Sequence, residues 1–197
     1  GGQPFASRGQ AELPGFIDEP LVREFTPLAV SAAEYDELFI RGQRVAVVQT
    51  DEDDEAIFCV LILDHISDQS ARELLRREGE FCALDFDEAG QVLALTYFAL
   101  ETDKRDVAVL EVFDLLSGQL LWSLSLADEA MHCKVCVSPI GDRLALAKRV
   151  SDEDDALVEL LVYDARTGVE LERAWPQSII ALGRWLEVGI VCTLRDE

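Results

Sequence analysis

The chain has 197 residues, 49% of them apolar and only 6 of them proline, which is enough apolar surface to offset the entropy of ordering a core and excludes a disordered chain. Its 17 Lys and Arg face 39 Asp and Glu, a formal net charge of −22. Such a field repels phosphate backbones and anionic lipid surfaces, so neither nucleic acid nor membrane is an expected partner, whereas basic proteins are drawn in.

The first 36 residues read as an extension. The opening Gly1-Gly2-Gln3-Pro4-Phe5 has neither a basic segment nor an apolar signal core, and no apolar run approaches the ~20 residues that span a bilayer. Within the extension Phe16 to Val30 is the apolar part, with Leu21-Val22-Arg23-Glu24-Phe25 its most strand-like piece. Ser31 with Glu34 has the form of a capping box and predicts a helical turn over 32–38.

From residue 37 the chain repeats. A glycine turn running into a β-prone segment occurs at Gly42-Gln43-Arg44-Val45-Ala46-Val47, Gly90-Gln91-Val92-Leu93-Ala94-Leu95 and Gly141-Asp142-Arg143-Leu144-Ala145-Leu146. A second turn follows each: Val112-Phe113-Asp114-Leu115-Leu116-Ser117-Gly118 reappears as Val162-Tyr163-Asp164-Ala165-Arg166-Thr167-Gly168, with a degenerate copy at Ile62 to Asp68. Asp64, Asp114 and Asp164 therefore stand 50 residues apart. Phe81 to Phe86 and Met131 to Val137 predict the strand before each first turn. Gln119 to Leu126 and Val169 to Trp175 predict the strand after each second turn, with Leu120, Trp122, Leu124 and Leu126 alternating at period 2. Register places Ser70 to Arg77 in the outer strand of the first unit despite its helix formers.

The units divide at 37–80, 81–130, 131–177 and 178–197, the last holding only two predicted strands, Ser178 to Trp185 and Gly189 to Leu194. Each complete unit reads as four antiparallel strands. The pattern resembles the WD-repeat and related β-propeller families, with Phe113-Asp114 and Tyr163-Asp164 in place of Trp-Asp, no Gly-His dipeptide, and a period longer than the usual ~40 to 45. That resemblance implies an all-β fold of successive blades, incompletely closed within this chain. Three sources of the missing strands are open: the N-terminal extension, a second copy, or the remainder of a longer native chain. The last is favoured, because the sequence stops where a loop is predicted.

Acidic loops are expected between the second and third strands of each unit: Asp51-Glu52-Asp53-Asp54-Glu55, Glu101-Thr102-Asp103-Lys104-Arg105-Asp106 and Ser151-Asp152-Glu153-Asp154-Asp155. Equivalent loops share one face, which Glu78, Glu80, Asp128 and Glu129 in the connections between units should join. A basic protein is the partner such a face would take, although solvated loop tips explain the same charge. No loop has the Asp-x-Asp-x-Asp-Gly calcium spacing.

Cys59, Cys82, Cys133, Cys136 and Cys192 lie in apolar runs, as buried thiols of a cytoplasmic protein do. Cys133-Lys134-Val135-Cys136 has a zinc-like spacing, but in a strand residues three apart face opposite ways, so no metal or other cofactor is expected. His65 and His132 have no serine elbow to serve, and no carboxylate pair is singled out, so no catalytic residue is assigned. The aromatic residues Trp122, Trp175, Trp185, Phe81, Phe86, Phe113 and Tyr163 are expected between blades. The expected function is a non-enzymatic interaction platform. The alternative is a sensor or regulatory module of a larger enzyme or signalling protein.

Overall fold

The computed structural model describes residues 36–51, 53–65, 71–101, 104–126, 132–149, 158–175, 179–186 and 189–194. Their regular elements are all strands: β1 (Glu37–Arg41), β2 (Arg44–Thr50), β3 (Ile57–Leu63), β4 (Arg72–Phe86), β5 (Val92–Glu101), β6 (Lys104–Asp114), β7 (Gln119–Ser125), β8 (His132–Val137), β9 (Arg143–Arg149), β10 (Val158–Asp164), β11 (Glu170–Ala174), β12 (Ile179–Leu186) and β13 (Gly189–Leu194). All neighbours pair antiparallel, in the orders β1-β2-β3-β4-β5-β6-β7, β11-β10-β9-β8 and β12-β13.

The seven-stranded array is two blades sharing one long strand. The first half of β4 pairs with β3 up to Glu78, and the second half pairs with β5 from Gly79 onward. The first blade is thus β1, β2, β3 and early β4, and the second is late β4, β5, β6 and β7. The third is β8 to β11. The innermost strands stand side by side, β1 with β4, β4 with β8 and β8 with β12.

Alternation along the strands sends apolar side chains to both faces, because a blade is covered on both sides. Ala46, Val48, Phe58, Val60 and Ile62 of the first blade meet Leu84, Phe86, Leu93, Leu95 and Phe113 of the second. Val92, Ala94, Leu110 and Val112 on the other side of the second blade meet Val135, Leu144, Leu146, Leu161 and Tyr163 of the third. Full burial of each large side chain contributes roughly 1.5–3 kcal/mol.

The repeat is visible atom by atom. Gly118 N–H donates to Asp114 O at 2.8 Å, and Gly168 N–H donates to Asp164 O at 2.9 Å. Asp114 Oδ1 accepts from Ser117 N–H and Oγ at 2.8 and 2.9 Å, while Asp164 Oδ1 accepts from both groups of Thr167 at 2.8 Å. At the earlier turn, Asp87 Oδ1 caps Gln91 and Val92 N–H, just as Ser138 Oγ caps Asp142 and Arg143 N–H.

These bonds hold the Asp114 carboxyl below the usual range, through the Ser117 backbone N–H first and its hydroxyl next. Asp114→Ala should therefore lower the unfolding free energy by about 1 kcal/mol in thermal denaturation, the typical net value of such bonds, while Asp114→Asn keeps the acceptor and loses less.

Several expectations need correction. Glu37 and Leu38 open β1 rather than closing a helical turn, and residues 32–35 lie outside the described ones. Lys104, Arg105 and Asp106 belong to β6 rather than to a loop. Glu78 and Glu80 lie within β4, because no connection separates the first two blades. Leu120 and Leu124 are exposed on β7, the edge strand of its sheet, and a bulge opposite Val112 and Phe113 skips Leu121 between Leu120 and Trp122. Trp175 is also exposed rather than packed between blades. The Trp185 side chain lies outside the described ones.

Candidate functional site

The first acidic loop joins β2 to β3, and its shape is set by its own carboxylates. Asp51 Oδ1 accepts from Asp53 N–H at 3.0 Å, and Asp54 Oδ1 accepts from Ala56 N–H at 3.0 Å. Ile57 N–H closes the turn on Asp54 O at 2.9 Å. The second oxygen of Asp51 is held by Arg76 of β4. The Asp53 backbone N–H and then the Arg76 guanidinium keep the Asp51 carboxyl below the ordinary range. Two aspartates thus do structural duty inside the loop.

Asp53, Asp54 and Glu55 are exposed. Ile57 pairs with Glu78, so this loop lies at the same end of the sheet as the exposed Glu78 and Glu80. The end of β5 lies there too, since Ala99 pairs with Gly79. Glu101 is the last residue of β5. Glu52, Asp103, Asp128, Glu129, Asp152, Glu153, Asp154 and Asp155 lie outside the described residues.

At the opposite end, arginines knit the blades together. Arg44 at the start of β2 donates to Asp64 at 3.1 Å and to Gly90 O in the second blade at 2.6 Å. Arg72 of β4 reaches Leu115 O at 3.0 Å, and Arg166 of the third blade reaches Gln91 Oε1 at 2.7 Å. The Trp122 indole N–H donates to Ala165 O at 2.9 Å, and its ring lies where Gly168, at φ +71°, leaves room: a Cβ there would stand 2.8 Å from it. Motif reading gave Arg44, Arg72, Arg77, Arg166 and Arg173 no role. Of these only Arg44 and Arg166 adjoin the repeated turns.

Between the blades, buried acids are matched by cations. Glu111 of the second blade is paired by Arg77 of β4 at 2.8 Å, while within the third blade Glu159 is paired by both Lys148 at 2.7 Å and Arg173 at 2.8 Å. Beside Glu159, between the second and third blades, lies a cleft of about 510 Å³ lined by Trp122, Lys148, Tyr163, Glu170 and Arg173 among others. Its cations are already occupied, since Arg173 also pairs with Glu170 at 2.8 Å.

Cys133 and Cys136 are buried in β8. Cys133 packs with Val135 and Val137 in the core between the second and third blades, and Cys136, three residues on, lies outside that cluster. Burial pushes the Cys133 thiol up to about 11 and the Cys82 thiol up to about 12, which suppresses the thiolate that nucleophilic chemistry needs. Among the described residues no group of three or more His, Cys, Asp or Glu is placed to hold a metal ion.

Solved structures with this architecture are β-propellers. The β-propeller domain of the Trilobed protease from Pyrococcus furiosus superposes with a TM-score of 0.51 at 16% identity, over 73% of this chain and 42% of that one. TolB from Acinetobacter baumannii gives 0.53 at 12% identity, over 85% and 39%. The acylaminoacyl peptidase of Pyrococcus horikoshii gives 0.53 at 10% identity, over 72% and 25%. The fold is a β-propeller.

Among the described strands of this propeller the sheets do not close into a ring. The chain spans less than half the length of each of these three structures. No protein-family model matches the sequence, and no curated protein does. Among the described residues no helix is long and apolar enough to cross a membrane.

Proposed function

We propose that this propeller is a non-catalytic interaction platform whose acidic loop end docks a basic protein partner. The observation that carries the reading is the loop from β2 to β3. Asp51 and Asp54 fix its backbone from within while Asp53, Asp54 and Glu55 face solvent. Charges presented on a preorganised turn lose little entropy on binding, and a field of one sign accelerates encounter with a cationic surface. The sequence places Asp103 and Asp152 to Asp155 at equivalent turns, which supports extending the face across three blades. The turn bonding of Asp114 and Asp164 supports the WD-repeat-like reading of the units.

Replacing Asp53, Asp54, Glu153 and Asp154 together by Lys should reduce recovery of basic proteins in a salt-graded pull-down at least roughly tenfold at low ionic strength, with the circular dichroism unchanged. Equal recovery before and after the change would remove the acidic end from the account.

A second reading is a regulatory module attached to an enzyme. It is favoured by the likeness to a propeller domain of a protease and by the fraction of those longer chains that this one spans. The coding sequence adjoining these residues decides between the two: a hydrolase domain there supports the module.

A further inference from the structure

The outer strand of the second blade has an unguarded edge. β7 ends its sheet, and among the described residues no strand pairs with its outer side. Exposed sheet edges are normally blunted by charge. The outer strand of the first blade carries Arg72, Glu73, Arg76, Arg77 and Glu78, and β11 of the third carries Glu170, Glu172 and Arg173. β7 carries none: Gln119-Leu120-Leu121-Trp122-Ser123-Leu124-Ser125 is uncharged in a chain of which 28% is charged. Leu120 and Leu124 on it are 47% and 36% exposed.

The cleft between the second and third blades runs along this edge. Trp122 and Leu124 pair with Val112 and Leu110, which pack toward the third blade, so their side chains form one wall. Ser123 and Ser125 pair with Glu111 and Val109 and point to the opposite face, and they line the cleft as well. A cleft that touches every residue from Trp122 to Leu126 therefore reaches the backbone edge and follows it for roughly 16 Å. Leu126 N–H donates inward to Ala108 O at 2.7 Å, and alternation turns the N–H and C=O of Ser123 and Ser125 outward. The floor is one face of the third blade, where Tyr163 pairs with Glu170 and Leu161 with Arg173.

We propose that this edge takes an extended peptide of a partner protein as an added strand, uncharged and alternately apolar within the cleft and basic on either side of it. A row of outward backbone groups along a narrow cleft fits a strand rather than a compact ligand. Trp122, Leu124, Leu161 and Tyr163 set the apolar requirement, since side chains of one parity of the added strand would meet them. Lys148 and Arg173 are already paired by Glu159 and Glu170, so a further charge would enter the cleft without a counter-ion. Basic flanks answer the −22 of the whole chain. That same charge disfavours a second copy as the occupant, because two β7 edges would bring −22 against −22. Asp53, Asp54 and Glu55 belong to the first blade and do not line the cleft, so this docking surface is independent of the acidic loop end.

The probe is a fluorescein-labelled nonapeptide, KKVTLTVKK, titrated with the full chain and followed by fluorescence anisotropy. Saturable binding is expected. It should weaken at least roughly tenfold with Ser123→Pro, which removes one outward N–H at an edge position where proline is tolerated, and with Leu124→Lys, which sets a charge in the cleft. N-methylation of the two threonines of the peptide, which would lie opposite Ser123 and Ser125, should weaken it by at least roughly the same factor.

Circular dichroism checks the fold of each variant. Should Ser123→Pro unfold, Leu124→Lys and the N-methylated peptide decide. No saturable binding overturns the proposal, as do equal affinities for the native chain, for Leu124→Lys and for the N-methylated peptide. Loss of binding only on the fourfold Lys replacement of Asp53, Asp54, Glu153 and Asp154 assigns the peptide to the acidic end and overturns it as well. A dimer of the free chain that Leu124→Lys dissolves overturns it in favour of a second copy.

Discussion

Gly79→Ala is expected to lower the unfolding free energy by more than about 3 kcal/mol, a large part of the roughly 5–15 kcal/mol that a domain has. Gly79 is where β4 passes from the first blade to the second. Its N–H donates to Ala56 O at 2.7 Å on the first blade, while its Cα pairs with Ala99 on the second. Serving two sheets that splay apart requires φ of +143°, a region that side chains disfavour by about 1–3 kcal/mol. A Cβ there would also stand 2.1 Å from Phe98 O. That oxygen belongs to the backbone of a central strand and cannot swing away as a side chain would. Relief would mean breaking the pairing of β4 with β5. Urea denaturation followed by tryptophan fluorescence gives the test, and a shift below about 1 kcal/mol would show that the strand can turn elsewhere.

That hinge shows what the sequence conveyed and what it did not. The repeat was legible because its markers are local. An aspartate capping a Ser or Thr three residues on, followed by a glycine, is complete within five residues, and it recurs unchanged at Asp114 and Asp164. The outer strand of the first blade was legible only through register: Arg72 to Arg77 carries helix formers, and pairing with β3 overrides them. Gly79 gave no such signal, since one glycine between two glutamates looks like a loop, and the predicted break at residue 80 is in fact continuous strand. The acidic turns were recognisable as charge runs, but the division of labour within one of them was not. That Asp51 turns inward to Asp53 N–H and Arg76 depends on a partner 25 residues away. Long-range arginine bridges such as Arg44 to Gly90 O escaped for the same reason.

The same limit hid Asp85, and its removal should have the second large effect. From late β4 this one carboxylate touches all three blades: Arg41 of β1 donates to Oδ1 at 2.6 Å, and Val137 N–H of β8 donates to Oδ2 at 2.8 Å. Its side chain is only 5% exposed. Asp85→Ala strands a buried N–H and a half-buried guanidinium, and should cost about 2–4 kcal/mol. Asp85→Asn keeps an acceptor for Val137 and should cost less at neutral pH, because burial pushes the Asp85 carboxyl up despite the opposing Val137 N–H and Arg41. A carboxyl raised in the folded state binds its proton more tightly there than in the unfolded chain, where the value is about 3.9. Its contribution is therefore full below that value and declines as pH rises through the raised one. The stability difference between the native protein and Asp85→Asn should accordingly shrink, or turn in favour of Asp85→Asn, as pH is raised from about 4. Asp51, Asp114 and Asp164 are lowered instead, so their contributions hold above the unfolded value and fade below it, equally in both proteins. Unfolding curves across that range separate the two groups. A difference that widens with rising pH would mean that pairing with Arg41, and not burial, governs the Asp85 carboxylate.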